Sequence, residues 1–407
     1  MLTYRYTAKE AVTGKKITAD VEADSEKAAA KLLQERGLAP LEIKLKSGNQ
    51  SGLNSILNRI PAKEKVIFSR QLATLINAGL PLVQSLRNVG EQTANKPLKL
   101  VVNQVITSVE AGSSFADALA AHPKVFNQVY VSLVAAGEAS GTLDKALERL
   151  AIQQEKDADI LSKVRGALIY PVVVLLVMVG VVIFMLTTVL PQVQSLYDGL
   201  PGVKLPFITR ALLAVSNALT NYWWIVLIIL GIVVFSTTRW ARTGPGKEAV
   251  DGLKMRMWPI GQLFMKLYMA RFSRTGSTLI GSGVPLLQML SITADAVANV
   301  HITKSINRAA EKVKGGKALS VALEGDPNFL PLVPNMLHIG EQSGALESML
   351  GKCADYYEKE VDNQIKAIST IIEPVLMIVM GVVALLIVAA ILLPIYGLVG
   401  QFSIGRR

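Results

Sequence analysis

Three stretches without charged residues stand out along the chain, separated by longer polar regions in which apolar residues recur at helical spacing. The uncharged stretches cover residues 169–190, 222–238 and 374–393. At 1.5 Å of rise per residue, about 20 apolar residues cross the hydrocarbon core of a bilayer. We therefore predict three transmembrane helices, the second beginning with interfacial aromatic residues, Tyr222, Trp223 and Trp224.

The polar regions before the first and third spans carry apolar residues at the three- and four-residue spacing of amphipathic helices. In the first region the pattern predicts helices over 63–77, from Pro81 onward, and over 97–110, 114–121 and 127–136. Ser113 is predicted to cap the fourth of these helices. Thr142 is predicted to cap a long helix that starts at Leu143 and runs toward the first span.

The first 45 residues have a different period. TYRYTA and ITADVEA alternate between polar and apolar positions on either side of Gly14, which predicts a β-hairpin. Ser25 then caps a short helix that closes at Gly37, and the strand LEIKL follows. We expect a small α+β module, joined to the rest by a linker between Lys46 and Arg59.

An internal repeat explains why two similar helical regions occur. Phe68-Ser69-Arg70 returns 204 positions later as Phe272-Ser273-Arg274, with similar residues following each. A Gly-Glu-x-Ser-Gly-x-Leu motif occurs at 137–143 and again at 340–346. The sequence therefore predicts two copies of one helical bundle, each leading into a membrane span.

The composition supports a membrane protein and excludes several kinds of catalytic and metal site. Of 407 residues, 51% are hydrophobic and 18% are charged. The lone Cys353 and three histidines offer no disulfide, zinc site or metal pair. No phosphate-binding loop or nucleophile motif occurs, so we expect no enzyme, cofactor or metal. The net charge of +11 favours anionic lipid or acidic partners, and we expect no nucleic acid.

The distribution of basic residues predicts the orientation in the membrane. Residues 239–274 hold eight Lys or Arg against Glu248 and Asp251, whereas 191–221 hold only Lys204 and Arg210. Because positively charged loops stay in the cytoplasm, we expect a cytoplasmic N-terminus and an external C-terminus. No signal peptide precedes the first span. Residues 205–219 are expected to form either a re-entrant or a surface helix, and Arg210 and Asn217 favour the surface helix.

The repeated motif supplies candidate site residues with two interpretations. In the structural one, the first glycine ends a helix, the second adopts a positive φ, and the leucine packs on the next helix. In the functional one, the glutamates stand at exposed corners where a partner docks. The residues are Gly137, Glu138, Ser140 and Gly141 in the first copy, and Gly340, Glu341, Ser343 and Gly344 in the second.

Two further sets of carboxylates allow both a structural and a functional interpretation. Glu373 lies at the cytoplasmic edge of the third span, where the first span has Tyr170; it either snorkels to the interface or meets a partner. Asp144 and Glu148 lie on one helix face. Ordinary surface pairing is the favoured interpretation for them, and a weak divalent-cation site is the alternative.

Taken together, these residues resemble the inner-membrane platform protein family of type II secretion systems and type IV pilus machines. The resemblance covers the N-terminal segment YRYTAKEAVTGKK, both bundle copies, both Gly-Glu-x-Ser-Gly-x-Leu turns, ALIYP at 167–171 and Glu373-Pro374. It implies a non-enzymatic, multi-pass scaffold of the bacterial inner membrane.

The resemblance also implies partners. They are a cytoplasmic hexameric assembly ATPase, pilin or pseudopilin subunits, other inner-membrane machine components and further copies of the chain in a homo-oligomer. A small transporter or channel is the alternative class, because duplicated polytopic proteins are often transporters. Three spans and few intramembrane polar residues count against it.

The predicted fold is mainly α and polytopic, with a small N-terminal α+β module. Its segments are the module 1–45, linker 46–60, first cytoplasmic bundle 61–168, span 169–190, external loop 191–221, span 222–238, basic connector 239–260, second cytoplasmic bundle 261–370, span 371–393 and external tail 394–407.

Overall fold

The computed structural model describes residues 2–10, 16–23, 30, 32, 38–45, 60–192, 195, 207–258 and 260–404. They fall into two compact units, Met1–Pro61 and Ala62–Arg407. The second unit is helical in its described parts, as the periodicity predicts. The mainly helical fold with two repeated bundles is therefore confirmed.

The N-terminal unit holds a three-stranded antiparallel sheet made of β1 (Leu2–Glu10), β2 (Lys16–Ala23) and β3 (Leu38–Leu45). β1 is central, and the strand order is β2-β1-β3. The register of β1 with β3 shifts between Thr7 and Ala8, next to Pro40, which has no N–H to donate to the ladder. The hairpin turn, most of the predicted helix that closes at Gly37 and the linker before Arg59 lie outside the described residues.

The first bundle contains five helices and the start of a sixth. They are α1 (Ala62–Asn77), α2 (Leu82–Gln92), α3 (Lys96–Glu110), α4 (Phe115–Ala120), α5 (Gln128–Ser140) and α6 (Leu143–Phe184). After α6, the chain continues as a short π-helical segment, Met185–Val189.

The remaining helices form the second span, the connector, the second bundle and the third span. They are α7 (Phe207–Trp240), α8 (Gly244–Arg256), α9 (Ile260–Gly281), α10 (Leu286–Val297), α11 (Val300–Lys314), α12 (Leu319–Leu323), α13 (Leu332–Ser343) and α14 (Leu346–Ile404).

One predicted helix end and two predicted capping side chains are wrong. Ser114, not Ser113, caps α4 by accepting a hydrogen bond from the Asp117 amide, because the amide of Ser113 is used to close α3 against Ser108. α5 runs four residues past its predicted end, to Ser140. Thr142 precedes α6 as predicted, but its side chain makes no capping hydrogen bond to that helix.

The two bundles have equivalent cores, as the repeat predicts. Phe68 packs on Phe126 with ring centroids 5.9 Å apart, and the equivalent Phe272 packs on Phe329 at 5.1 Å. Gly79 and Gly283, which end the first helix of each copy, both have a φ of 82°. Asn95 and Asn299 each cap the third helix of their copy through the side-chain oxygen.

In the part of the chain that the structure describes, two helices are long and apolar enough to cross a membrane, and a bent pair adds a third candidate. The first two lie within Leu143–Gln192 and Leu346–Leu392. α7 bends by 85° between Arg210–Tyr222 and Trp224–Trp240, with non-helical φ and ψ at Tyr222. The predicted surface helix over 205–219 thus becomes the first limb of α7.

The first limb of α7 packs on the ends of the other two spans. Leu213 is buried with Leu186, Leu190 and Ala390, and the Ser216 hydroxyl donates to the Leu186 carbonyl inside the π-helical segment. π-Helical turns leave the regular hydrogen-bond ladder, and a side chain can serve their carbonyls. At the C-terminus, α14 continues to Ile404, so most of the predicted tail 394–407 is helical.

Candidate functional site

The glutamates of the two repeated turns bind the starts of short helices in their own bundles. Glu138 accepts hydrogen bonds from the amides of Phe115 and Ala116, both at 2.7 Å. Glu341 accepts from the amides of Leu319, at 2.6 Å, and Ser320, at 3.3 Å. The first amides of a helix have no partner within it, and a carboxylate placed there satisfies them. Each glutamate therefore joins α5 to α4, or α13 to α12.

These contacts change the interpretation of the motif. Both glutamates are half-buried rather than standing at exposed corners. A function in docking a partner stays a prediction for these residues, but it must coexist with an internal structural function. The bound amides lie 22 or 23 residues before Glu138 and 21 or 22 residues before Glu341, a separation that helical periodicity does not reveal.

The first glycine of each motif does not end a helix, in contrast to the prediction. α5 passes through Gly137 and ends at Gly141, which has a φ of 69°. A Cβ at Gly137 would lie 2.6 Å from the Cβ of Ala146 on α6. The first glycine is thus required for the close approach of two helices. In the second copy, a Cβ at Gly340 would lie 3.0 Å from the Cα of Leu346.

The motif serines and second glycines close the turns. The hydroxyl of Ser140 donates to the Ala136 carbonyl at 2.7 Å, and that of Ser343 donates to the Ile339 carbonyl at 2.7 Å. Gly344 ends α13 with a φ of 67°. Every named position of the motif therefore contributes to the helix–turn–helix geometry of its own bundle.

An arginine fixes the first helix of each bundle to the long helix. Arg70 on α1 binds Glu155 through Nε and Glu148 through Nη1, both at 2.6 Å. The hydrogen bond from Arg70 holds the pKa of Glu155 below its usual range, and the two carboxylates raise the pKa of Arg70. Asn77 also donates to Glu148, at 3.1 Å.

The pairing of Glu148 bears on the alternative of a cation site with Asp144. Arg70 and Asn77 already occupy the carboxylate of Glu148, so it is not free to bind a divalent ion. Within the described ranges, no group of three or more His, Cys, Asp or Glu side chains is placed to hold a metal ion.

Ion pairs connect the long helices of the two repeats. Arg149, Lys156 and Lys163 lie seven residues apart along α6 and pair with acidic residues of α14. The pairs are Arg149–Glu347 at 2.9 Å, Lys156–Glu358 at 2.9 Å and Lys163–Asp362 at 2.7 Å. We call these three pairs the cross-repeat ladder. Hydrogen bonds to Asp159 and Asp362 raise the pKa of Lys163.

An apolar seam continues the ladder toward the spans. Ile160 on α6 is buried with Leu263 on α9 and with Val361, Ile365 and Ile368 on α14. Farther along, clefts of about 150 and 390 Å³ lie between the first and third spans. Their lining is apolar throughout and includes Val177, Val182, Met380, Val383 and Leu386.

Glu373 lies apart from the two turns, on an exposed position of α14. It makes no hydrogen bond or ion pair to any residue that the structure describes, and its counterpart Tyr170 is also exposed. The candidate residues therefore form three separate places, the turn of the first bundle, the turn of the second bundle and the edge of the third span.

Comparison with known proteins agrees with the duplicated architecture. The family described as "Type II secretion system (T2SS), protein F" matches residues 68–191 and again 272–394. Its N-terminal domain family matches residues 1–44. The repeat seen in the sequence and the structure is thus two copies of one family domain.

Full-length relatives carry two kinds of name. "Type IV pilus assembly protein PilC" of Thermus thermophilus is 40% identical, over 99% of this chain and 100% of the relative. A protein of the same name from Myxococcus xanthus is 36% identical, over 96% of this chain and 94% of the relative. "Type II secretion system protein F" of Aeromonas hydrophila is 37% identical, over 92% of this chain and 97% of the relative.

Proposed function

The chain belongs to the type II secretion system protein F family, and from that premise we propose that it couples a cytoplasmic assembly ATPase to insertion of pilin or pseudopilin subunits into a fibre. The family consists of platform proteins of pilus and secretion machines in the bacterial inner membrane, and its long apolar helices fit a multi-pass membrane protein. Coupling to the ATPase and to the fibre subunits is the further step that we propose.

The observation that carries this proposal is the continuity between bundles and spans. α6 and α14 each run without a break from a bundle into an apolar stretch, and the cross-repeat ladder joins them before that stretch begins. Packed helices transmit displacement because protein interiors are dense. A push on either bundle would therefore move both spans together.

We propose that both bundles face the cytoplasm, because the basic residues cluster between Arg239 and Arg274. A topology reporter fused after Asn217 should be active only outside the membrane, and one fused after Gly252 only inside. The reverse result at either position would overturn the three-span arrangement and with it access of the ATPase to the bundles.

The docking of the ATPase is testable at positions that do not disturb the glutamate contacts. Ala139 and Gln342 occupy the equivalent variable position of the two motifs, and both are exposed. Ala139→Lys and Gln342→Lys add charge beside the turns but leave Glu138 and Glu341 in place. If the turns dock the ATPase, its co-purification from native membranes should fall while platform abundance stays normal.

A matched control separates docking from folding. Lys124→Glu changes an exposed charge of the first bundle away from the turn and should leave co-purification unchanged. Unchanged co-purification in both turn variants would assign the turns a purely structural function. Crosslinking from probes on both bundles would then locate the true ATPase contact.

Contact with a fibre subunit is proposed at Glu373. The family resemblance implies subunits that present a positively charged N-terminal amine at the cytoplasmic edge of the bilayer. Among the residues that the structure describes, Glu373 has no partner, and it lies at the start of the third span, where a lower dielectric strengthens charge pairing. The apolar clefts between the first and third spans would accept the hydrophobic part of the same subunit.

The test replaces Glu373 with Gln and measures the fibre yield at matched platform levels. Fibre yield should fall, with the abundance and oligomer size of the platform unchanged. Glu311→Gln removes an equal charge from an exposed position on α11 and serves as the control. Wild-type yield from the Glu373 variant would assign Glu373 to snorkelling at the interface.

The same clefts weigh against the alternative of a transporter or channel. A path for a polar solute needs polar groups or water, whereas the clefts between the described spans are lined by apolar side chains. A conductive pore or a bound small solute in the purified protein would support the alternative.

A further inference from the structure

The connector helix α8 starts directly at the end of the second span. Only Ala241–Thr243 separates it from Trp240, and the amide of Thr243 donates to the Trp240 carbonyl at 2.9 Å. Gly246 lies so close that a Cβ there would come within 1.9 Å of the Trp240 carbonyl oxygen. The first turn of α8 is therefore packed against the last residue of a helix that reaches the membrane surface.

One side of α8 is fixed to the second bundle. Asp251 is 2% exposed and accepts hydrogen bonds from the Val300 amide, at 3.2 Å, and from Lys254, at 3.0 Å. Lys304 pairs with Glu248 at 2.7 Å, and the His301 ring lies 3.1 Å from the Glu248 carbonyl oxygen. Glu248 is thus neutralised by the bundle, whereas the charge of Asp251 is balanced by Lys254 of the connector itself and its carboxylate is held by a bundle amide.

The remaining surface of the connector combines free basic side chains with exposed apolar ones. Four basic side chains are exposed and make no hydrogen bond or ion pair within the described part of the chain. They are those of Arg239, Arg242, Lys247 and Arg256. Beside them, Trp258 is 77% exposed, Leu253 is 61% exposed, and Met257 and Trp240 are also exposed.

We propose that α8 and the turn after it form an interfacial helix that binds anionic phospholipid headgroups and holds the second bundle against the bilayer. Tryptophan favours the headgroup level, and basic residues near an anionic leaflet are attracted to its phosphates. Exposed apolar and basic side chains on one segment are the combination that binds such an interface. We call the exposed side chains named above, which run from the end of α7 through α8 to Trp258, the lipid face.

Charge and chain continuity favour lipid over an acidic protein as the occupant. The lipid face begins at Arg239, in the last turn of a membrane-crossing helix. Four Cα–Cα steps from Trp240 to Gly244 cannot take the start of α8 farther than about 14 Å from that end. The proposal rests on α7 crossing the membrane and does not depend on the ATPase or the fibre subunit.

The experiment uses the full chain in vesicles of phosphatidylcholine, with or without phosphatidylglycerol. Because Cys353 is buried, Leu253→Cys offers an exposed thiol for a nitroxide spin label. A second label at Val321→Cys, 52% exposed on α12 of the same bundle, is the reference. Collisions with lipid-soluble oxygen and with a water-soluble nickel chelate report the depth of each label.

We expect phosphatidylglycerol to protect the label at 253 from the nickel chelate, with the label at 321 open in both vesicles. Arg242→Gln with Arg256→Gln should abolish that protection. Lys314→Gln with Lys317→Gln, which removes the same charge from an exposed turn of the same bundle, should not. The unchanged label at 321 would show that the variants still fold.

Two outcomes would overturn the proposal. In one, the label at 253 stays as open to the chelate as the label at 321, with and without phosphatidylglycerol. In the other, protection arises only when a membrane protein extract is added, which would assign this surface to an acidic protein partner. A failed ATPase or fibre assay would not affect either measurement, so the two proposals fail separately.

Discussion

Each bundle has an arginine at the equivalent position, and this arginine pairs with one acid that is equivalent in the two copies and one that is not. Arg70 binds Glu148 and Glu155 on α6, whereas Arg274 binds Asp355 and Glu358 on α14. Glu155 and Glu358 are equivalent, but Gly351 stands where the first copy has Glu148, and Ile152 stands where the second has Asp355.

This difference shows which part of the unit is constrained. Each arginine follows a buried Phe-Ser pair, Phe68-Ser69 or Phe272-Ser273, so core packing fixes its position. The second acid needs only to lie on the facing side of the long helix, two turns before the shared glutamate in the first copy and one turn before it in the second. Duplicated bundles therefore keep their cores and exchange their surface pairs.

The surroundings of the bundles differ more than their cores. The second bundle has a connector helix packed against it through Asp251, and its long helix meets the membrane at Glu373 rather than at Tyr170. These differences lie where the bundles approach the membrane. The two copies have therefore diverged near the spans and kept equivalent cores.

The largest contrast between the copies is expected at the first glycine of the motif. Gly137→Ala places a Cβ 2.6 Å from the Cβ of Ala146 and should destabilise the first bundle by about 1–3 kcal/mol. Gly340→Ala meets its nearest atom at 3.0 Å, so the second bundle should lose less. Thermal unfolding and limited proteolysis of the purified chain would measure both.

A third glycine controls for the effect of alanine on the helix itself. Gly166 lies on α6 with no atom near its absent Cβ, so Gly166→Ala should maintain or raise stability through helix propensity. Equal losses from Gly137→Ala and Gly340→Ala would show that the two helix junctions are equally close.

The next effect concerns the glutamates that bind the short helices. Glu138→Gln keeps one acceptor oxygen but removes the charge, and should cost about 1–2 kcal/mol. Glu341→Gln should cost a similar amount, because Glu341 also accepts from the Ser320 hydroxyl. The free energy of unfolding of each variant is measured by denaturation in detergent, with Glu324→Gln, at an exposed position, as the control. A loss no larger than that of the control would contradict the capping function.

The helices, the repeat and the spans could be predicted from the sequence because their signals are local. Charge-free windows and recurring motifs need no knowledge of tertiary contacts. The short helix α4 and its contact with Glu138 depend on residues 22 positions apart, which no periodicity encodes. The bend at Tyr222 was missed for a similar reason, since it depends on packing of Leu213 against two other spans.

The candidate site could be predicted only as a motif. The repetition of Gly-Glu-x-Ser-Gly-x-Leu identified the turn, but the sequence alone could not show that Gly137 permits close packing rather than ending a helix. The cross-repeat ladder was missed altogether. Its signal was the seven-residue spacing of Arg149, Lys156 and Lys163, which looks the same as that of a solvated helix face.

Acid should affect the first bundle through Glu155. Because the hydrogen bond from Arg70 lowers its pKa, Glu155 contributes stability above its unfolded pKa, and that stability is lost as the pH falls through the folded pKa. Because the Glu155 side chain is 42% exposed, solvent screening should limit the effect to about 1 kcal/mol or less. Arg70→Gln should flatten this part of the pH dependence of the melting temperature. If Arg70→Gln leaves the fall of the melting temperature at low pH unchanged, other carboxylates dominate that fall.

The smallest effect, and the one that tests the coupling of the two repeats, concerns the pair between Arg149 and Glu347. Both side chains are at least a third exposed, so either reversal, Arg149→Glu or Glu347→Arg, should cost only about 0.2–1 kcal/mol. The double swap restores opposite charges and should recover most of that loss, with less recovery in high salt. Thermal unfolding of the wild type, the two single variants and the double variant completes this double-mutant cycle. Additive losses would mean that the ladder is a consequence of packing along Ile160 and Val361, and that this apolar seam alone holds the long helices together where they enter the membrane.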